Sequence, residues 1–289
     1  MKIFPVLNIN DFDFEGNTNQ FYANKFSNHL NDFHKTITKP HKHDFYLSVL
    51  FTQGKGTHVI DFNRYDIKPG SLFFMLPGQT HDWVLSDDIE GYIFFHTKSF
   101  YDLLFPNKRL DEYPTFYLRD NLKHIQLAEK EQRVFENYFE CILEENKESN
   151  SLKYRKIGLL LDLIYIDSNR LKFDSQFNVD KTNSQMLYYK DLQVLIDENY
   201  VKLKKPKDYA NRLNITVKHL NKIVNNLLNK STSELINERV ILEAKRLISH
   251  GNLSIKEIAY QLEYEDYSYF SRFFKNNTGF TPSEFAKQF

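Results

Sequence analysis

The sequence predicts a two-domain α+β protein. The N-terminal part has the pattern of an antiparallel β-barrel followed by helices, and the C-terminal part that of an all-α domain with two helix-turn-helix motifs. Strand-like runs fill about the first 105 residues, helical periods return after about residue 126, and one helical pattern occurs twice in the last hundred residues. The 289 residues are enough for two domains of about 100 to 200 residues each.

The first region contains four short runs rich in aromatic and β-branched residues, which are typical of strands. Each run is followed by residues that favour turns, such as Pro, Gly, Asn and Asp. The runs are 46–51, 57–62, 71–76 and 92–96, and the turns are 53–56, 63–66, 68–70, 77–78 and 86–88. Regular turns without a helical segment between them favour a small antiparallel barrel or jelly roll over residues 1–105.

Two amphipathic stretches follow, at 127–145 and 154–166, within a helical region of about 126–170. The second stretch is apolar around a wide arc, so it needs a second surface to bury its leucines. A second copy of the chain would supply that surface, and the alternative is that both helices simply pack on the barrel. A polar segment without period predicts a linker at 173–184, between domains at 1–172 and 185–289.

Charge and composition limit the classes of protein to which the chain can belong. From Lys181 onward there are 17 Lys and Arg against 12 Asp and Glu, whereas the first 180 residues hold 21 against 26. Only the C-terminal part is therefore expected to meet a polyanion. The sequence has no apolar run of about 18 residues and no signal-peptide pattern, so we expect a cytoplasmic protein without a membrane partner.

The second copy of the repeated pattern begins at Ser254. Ser254 and Glu257 form a capping box, which predicts the start of a helix. Apolar residues at intervals of three and four define two short helices with a tight turn between them, the second over 266–277. The outer strip of that second helix consists of Ser268, Ser271, Arg272 and Lys275. Its hydroxyl and cationic groups are suited to lie along a groove of nucleic acid.

The first copy lies about 50 residues earlier. Thr216 caps a helix over 216–228, and its outer strip consists of Lys218, Asn221, Lys222 and Asn225. A shift of 50 residues places these four on Ser268, Ser271, Arg272 and Lys275, and the apolar stripes coincide under the same shift. A further capping box, Ser231 with Glu234, starts the helix that joins the copies. This coincidence indicates a duplicated unit.

Four motifs lie within about 187–289: Ala244-Lys-Arg-Leu-Ile, Ser254-Ile-Lys-Glu-Ile-Ala, Tyr269-Phe-Ser-Arg-Phe-Phe-Lys and Gly279-Phe-Thr-Pro-Ser-Glu-Phe. Together they resemble the DNA-binding domain of the AraC/XylS family of bacterial transcription regulators. The resemblance implies a sequence-specific regulator and no enzymatic activity, with helices 216–228 and 266–277 in successive major grooves of double-stranded DNA. It also implies contact with RNA polymerase. Asn214, Asn229 and Glu263 stand at turns where the family often has glycine.

The duplicated strips and the resemblance together select the residues expected to contact DNA. Arg272 is the first candidate for base reading, because a guanidinium pairs bidentately with guanine. Asn221 is a candidate for bidentate pairing with adenine, Lys222 for guanine or a phosphate, and Lys275 for the DNA backbone. The full set is Lys218, Asn221, Lys222, Asn225, Tyr267, Ser268, Ser271, Arg272 and Lys275.

The N-terminal half carries His41-Lys-His43, a turn with Gly54 and Gly56, Pro69-Gly70 and Pro77-Gly-Gln-Thr-His81. These motifs resemble the cupin-type sensing domains attached to many such regulators. Metal-binding cupins hold one metal ion with three histidines and a carboxylate. His41, His43 and His81 correspond to the histidines, but Leu47 and Ser48 stand at the position of the carboxylate. We therefore expect no metal and no cofactor, and an unknown small organic effector held by Tyr46, His81 and Trp83.

Other interpretations of the N-terminal half remain open at this point. It could be a filled barrel that only supports a homodimer, or a cupin-type metal-dependent enzyme fused to a DNA-binding domain. The whole chain could also be an architectural DNA-binding protein without an effector. Neither the effector, nor the regulated genes, nor activation as against repression follows from the residues.

Overall fold

A computed structural model describes residues 5–12, 20–33, 40–106, 110, 113–117, 123–173, 179–251 and 253–287. The chain divides into two compact units, Phe4–Gln176 and Phe177–Phe289. The division falls within the segment where we predicted a linker, although a helix already begins at Val179. No helix among the described residues is long and apolar enough to cross a membrane.

The N-terminal unit contains ten strands, five helices and a 3-10 turn at Ile9–Phe12 in its described part. The strands are β1 (Val6–Leu7), β2 (Phe21–Lys25), β3 (Lys42–His43), β4 (Tyr46–Gln53), β5 (Gly56–Ile60), β6 (Asn63–Ile67), β7 (Ser71–Met75), β8 (His81–Leu85), β9 (Glu90–His96) and β10 (His124–Gln126). The helices are α1 (Phe26–Phe33), α2 (Lys98–Leu104), α3 (Pro114–Tyr117), α4 (Glu129–Lys147) and α5 (Lys153–Phe173).

Two antiparallel sheets form the body of this unit. One has five strands in the order β10-β7-β4-β9-β2, and the other has three in the order β6-β5-β8. A short parallel pair, β1 with β3, lies beside them. The antiparallel sheets confirm the α+β class predicted for the N-terminal part.

The five-stranded sheet is buried on both faces. Along β4, Leu47, Val49 and Phe51 belong to the core shared with the three-stranded sheet. Leu50 belongs to the core shared with α4 and α5. Because both faces are covered, β4 is apolar almost throughout and its sequence does not alternate.

The turn between β5 and β6 differs from the prediction. Residues 63–66, predicted as a turn, lie in β6, and the turn is formed by Asp61 and Phe62 with φ of 45° and 73°. Two successive left-handed residues suit the twist of a tight hairpin. The Asp61 carboxylate holds the turn, because it accepts hydrogen bonds from Gln79 Nε2 at 2.8 Å and from the Thr80 amide at 3.2 Å. The polar residues of β6 lie on an exposed edge strand, which explains their turn-like composition.

The described C-terminal unit is all helical. Its helices are α6 (Val179–Asn199), α7 (Pro206–Arg212), α8 (Val217–Leu228), α9 (Thr232–His250), α10 (Ile255–Gln261), α11 (Tyr267–Thr278) and α12 (Pro282–Ala286). The first helix-turn-helix unit is α7 with α8, and the second is α10 with α11. Helix α9 contacts both units. This arrangement confirms the predicted domain with two helix-turn-helix motifs.

The two helix-turn-helix units repeat in their backbone conformation as well as in sequence pattern. Each internal turn holds one left-handed residue, Asn214 with φ 55° and Glu263 with φ 54°. Helices α8 and α11 both end at a left-handed residue, Asn229 with φ 55° and Gly279 with φ 81°. A capping box follows each of them, at Ser231 in one copy and at Thr281 in the other. Three positions where the resemblance led us to note a missing glycine therefore do adopt glycine-like conformations.

Candidate nucleic-acid interface and interior histidine cluster

Helices α8 and α11 are each fixed at the N-terminus by a side-chain cap. The Thr216 hydroxyl accepts a hydrogen bond from the His219 amide at 3.1 Å, and Asp266 Oδ1 accepts one from the Ser268 amide at 2.6 Å. The inner faces are fully buried: Leu220, Ile223 and Val224 on α8, and Phe270 and Phe274 on α11. Each helix is thus held by one face and one end, which leaves the opposite face for a partner.

The predicted contact residues lie on the outward side of these two helices. Ser271 and Asn221, at equivalent positions, are half-buried, and the others are exposed: Lys218, Lys222, Asn225, Tyr267, Ser268, Arg272 and Lys275. The exposed cations Arg272, Lys218 and Lys222 form no ion pair with any residue in the described ranges. Their charge is therefore available to a polyanion.

Arg239 on α9 shows what a structural cation of this domain looks like. Its side chain is 12% exposed and its guanidinium donates to Asp197 at 3.0 Å and to Glu243 at 2.9 Å. It also stacks over the ring of Tyr200, 3.8 Å from the ring centroid. Arg272 and Arg239 are the same residue type in opposite roles, because only Arg239 has carboxylates and an aromatic ring around it.

Asn221 is already engaged within the protein. Its Oδ1 accepts a hydrogen bond from the amide of Thr232, the first residue of α9, at 3.0 Å. The bidentate pairing with adenine that we predicted needs this oxygen as an acceptor for the base amino group, so the base would have to share the oxygen with the Thr232 amide. The equivalent Ser271 has no such bond with a residue of the described chain. The two strips therefore match in position but not in chemistry.

A cluster of buried histidines lies between the two sheets of the N-terminal unit. His81 Nε2 is 2.9 Å from His41 Nε2, and His81 Nδ1 is 3.0 Å from His58 Nε2. His43 lies beside them, with its ring centroid 5.1 Å from that of His81. All four side chains are at most 4% exposed. We call these four residues the histidine cluster.

The hydrogen bond of His43 fixes its tautomer. Its Nδ1 is 3.0 Å from the carbonyl oxygen of Phe45, which can only accept, so Nδ1 carries the proton. His43 Nε2 is then an acceptor, and it is buried without a partner in the described structure. His58 Nδ1 is likewise buried without a partner there. Unsatisfied buried polar atoms of this kind are uncommon in folded proteins, so each of them needs an explanation.

Burial keeps the rings of His43, His58 and His81 neutral. Desolvation lowers the pKa of His43 and of His58 to about 3, and that of His81 well below its usual value. Neighbouring histidines lower each of them further. His43, His58 and His81 therefore offer neutral imidazoles as hydrogen-bonding groups at neutral pH.

The structure brings together two of the three predicted effector residues. The rings of His81 and Trp83 are 4.9 Å apart between centroids, inside the sheet-to-sheet core. Tyr46 lies on the other face of the five-stranded sheet, stacked on His96 at 5.3 Å. The structure therefore places Tyr46 apart from His81 and Trp83, and an effector site at these residues stays a prediction. His58 was missed, although the alternation along β5 points its side chain into the same core as Ile60.

The same residues test whether a metal ion fits. In the described part of the chain, no three His, Cys, Asp or Glu side chains are arranged to hold a metal ion. His41 and His81 turn their Nε2 atoms toward each other at hydrogen-bond distance, so one of them must carry a proton. The histidines at 41, 43 and 81 therefore do not form a ready set of metal ligands.

Comparisons with known proteins bear on both domains. Residues 26–153 match the family described as AraC-like ligand binding domain, and residues 209–288 match a helix-turn-helix domain family. Together the two matches cover more than half of the chain.

Relatives and solved structures extend over almost the whole length. The transcriptional activator RhaS of an Enterobacter species is 22% identical over 251 residues, covering 84% of this chain and 86% of RhaS. RhaS of Escherichia coli is 20% identical with the same coverage. A structure of ToxT from Vibrio cholerae is 18% identical with a TM-score of 0.44, covering 93% of this chain and 98% of ToxT. The chain belongs to the AraC family of transcription regulators, with an AraC-like ligand-binding domain followed by a helix-turn-helix DNA-binding domain.

Proposed function

We propose that this regulator reads two successive major grooves on one face of DNA, with α8 in one groove and α11 in the next. The repetition of two outward polar strips with unpaired cations, on helices whose other faces are buried, carries the proposal. The protein would act in the cytoplasm, where the bacterial chromosome lies. In this proposal Arg272 pairs with a guanine edge, and Lys218, Lys222 and Lys275 neutralise phosphates.

The test is selection of DNA duplexes from a random-sequence library by the full-length protein, followed by sequencing. We expect two conserved boxes whose centres are about 10 base pairs apart, one turn of the double helix. A single conserved box would contradict reading by both helices. Binding that shows no sequence preference would favour the architectural alternative.

We also propose that the histidine cluster, with Trp83, is the effector site. Its neutral acceptors, above all His43 Nε2, suit a ligand that donates hydrogen bonds, and the aromatic rings of Trp83 and Phe45 suit an apolar face of that ligand. A ligand that binds only the folded state raises the unfolding temperature. A thermal-shift screen against sugars, aromatic acids and fatty acids is therefore the test.

A stabilising compound should lose its effect in His81→Ala and keep it in Tyr46→Phe, because Tyr46 lies on the opposite face of the sheet. The reverse result would move the site to the layer between the sheet and the helices. Metal analysis of the purified protein separates this proposal from a metal-dependent enzyme, which would require a bound ion.

Helix α5 is our proposed homodimer contact. Ile157, Leu161 and Ile164 are buried against the sheet, but Leu152, Leu159 and Leu163 are 71%, 52% and 42% exposed. An interval of four residues places Leu159 and Leu163 on one stripe away from the buried face, and Leu152 lies directly before the helix begins at Lys153. A second copy of α5 would cover them.

The matched test uses two leucine-to-glutamate variants. Leu159→Glu should convert the dimer to a monomer in light scattering coupled to gel filtration. Leu171→Glu is the control, because Leu171 is 47% exposed on the same helix but lies about 100° around it. Equal effects of the two variants would contradict a specific contact at this stripe.

A further inference from the structure

Lys204 lies before the first helix-turn-helix unit, yet its ammonium group binds the second one. Its Nζ donates a hydrogen bond to the carbonyl oxygen of Leu262 at 2.8 Å, where α10 ends, and another to the carbonyl oxygen of Val201. The same Nζ lies 4.8 Å from the centre of the Tyr264 ring. Lys204 therefore contacts both sides of the turn between α10 and α11.

The site is well suited to a cation. The C-terminal end of a helix carries partial negative charge and carbonyl oxygens without helical partners, and the face of an aromatic ring also attracts cations. Lys204 is half-buried, and burial lowers its pKa while the nearby Glu263 raises it. An ammonium with two carbonyl acceptors and a ring is an internal contact and not a free charge that awaits DNA.

The contact leads directly to the second recognition helix. The ring of Tyr264 packs against Phe270 and Phe273 of α11, at centroid distances of 5.2 and 5.4 Å. A shift of Lys204 relative to the turn would therefore move Tyr264 and, through it, the position of α11, the helix that carries Arg272.

The segment that carries Lys204 is anchored to the first unit. The carbonyl oxygen of Leu203 accepts a hydrogen bond from the hydroxyl of Tyr209, a buried residue of α7, at 2.8 Å. The amide of Leu203 donates to the carbonyl oxygen of Asn199 at the end of α6, also at 2.8 Å. The backbone next to Lys204 thus moves with α6 and α7.

We propose that Lys204 is a positioning residue that fixes the second recognition helix relative to the first, and so sets the spacing between DNA boxes that the protein accepts. Helix α9 joins the two units, and Lys204 adds a contact between them that does not involve α9, which opposes rotation of one unit relative to the other. This inference rests on the proposed reading of two grooves.

The experiment uses the full-length protein and the two-box duplex obtained by the selection described above. Labelled duplexes with one base pair removed, or with one or two added between the boxes, are titrated in fluorescence anisotropy. One added base pair turns the second box by about 34°. Because the second unit then loses its box, the wild type should bind about 100-fold more weakly on altered spacings.

Lys204→Met should bind the natural spacing about tenfold more weakly and should lose most of the difference between spacings, because the second unit can then rotate. Lys204→Arg should restore the preference in part, since it keeps a cation that donates to both carbonyls. Lys202→Met is the matched control. It removes the same charge two residues earlier from an exposed side chain, and its spacing profile should follow the wild type.

Unfolding by urea, followed by circular dichroism, checks that the variants fold. If Lys204→Met is unstable, Lys204→Gln takes its place, because it retains a donor toward Leu262 without the charge. An equal loss of affinity at every spacing would overturn the proposal and make Lys204 a phosphate contact. If the selection itself returns no two-box site, the reading of two grooves fails, and this inference fails with it for a reason separate from Lys204.

Discussion

The two domains place their polar groups in opposite ways. The N-terminal domain buries imidazoles in its core, where His41, His58 and His81 bond to one another and His43 keeps an acceptor without a partner. The C-terminal domain has hydrophobic inner helix faces and turns the cations of α8 and α11 outward, while it encloses Arg239 with carboxylates and Lys204 with carbonyl oxygens. A buried polar cluster suits a small ligand, and an exposed strip suits a large polyanion.

The first prediction, with the largest expected effect, concerns acid. The pKa of His29, His43 and His58 is about 3 in the folded state against about 6.5 in an unfolded chain. Below about pH 6.5 the unfolded state therefore binds more protons, and stability falls until the folded rings protonate near pH 3. At pH 5 each ring should lower the free energy of unfolding by about 2 kcal/mol, so the N-terminal domain should lose several kcal/mol of stability. Burial is the main cause of these low pKa values, neighbouring histidines lower them further, and Asp61 opposes the effect at His43.

Trp83 makes this prediction measurable, because it is the single tryptophan of the chain and lies beside the cluster. Its fluorescence in urea titrations reports the N-terminal domain, while circular dichroism also follows the helices of the C-terminal domain. Between pH 7 and pH 5, the urea midpoint measured by fluorescence should fall by more than the midpoint measured by circular dichroism. Equal shifts would contradict the difference between the domains.

The second prediction concerns the exposed cations. Arg272→Ala should cost about 1–3 kcal/mol of binding and relax the preference at one base position, because a bidentate guanine contact is lost. Lys222→Ala, at the equivalent position of the first copy, should weaken binding to all sequences similarly and lower the salt dependence. Binding titrations against the selected site and its single-base variants check this. A loss with Arg272→Ala that is the same for all sequences would make Arg272 a phosphate contact.

The third prediction concerns Asn221, whose side chain accepts a hydrogen bond from the Thr232 amide within the protein. Asn221→Ala should lower the free energy of unfolding by about 1 kcal/mol, because the amide of the fully buried Thr232 loses its acceptor. Ser271→Ala should change stability by less than about 0.5 kcal/mol. Asn221→Asp keeps an acceptor and should recover most of the loss. Urea unfolding measures all three, and equal effects of Asn221→Ala and Ser271→Ala would remove the distinction between the strips.

The duplicated helices could be predicted well from the sequence because their signals are local. Capping boxes at Ser231 and Ser254 involve residues three apart, and the apolar stripes recur within one helix. The turns at Asn214 and Glu263 follow from the repeat itself. What the pattern could not contain is the bond from Asn221 to Thr232, which joins two helices and depends on how α8 packs beside α9.

The sheet domain was less predictable because its site depends on which way each strand faces. Strand β4 is buried on both faces, so its sequence has no alternation that would place Tyr46 away from His81. Strand β6 resembled a turn because it is a polar edge strand. The histidine cluster joins residues from separate strands, and a motif search finds His41, His43 and His81 but has no reason to include His58.

The smallest expected effect tests the two left-handed turns. The left-handed conformation costs a residue with a side chain about 1–2 kcal/mol of stability, and a glycine avoids this strain. Part of the benefit is lost, because glycine gives up more conformational freedom on folding. Glu263→Gly should therefore raise the free energy of unfolding by about 0.5–1 kcal/mol. Asn214→Gly should gain less, because asparagine tolerates this conformation. Glu263→Ala removes the charge near Lys204 but keeps the strain, so it should not stabilise the protein. A gain with Glu263→Ala as large as with Glu263→Gly would show that charge, and not backbone conformation, distinguishes the second turn from the first.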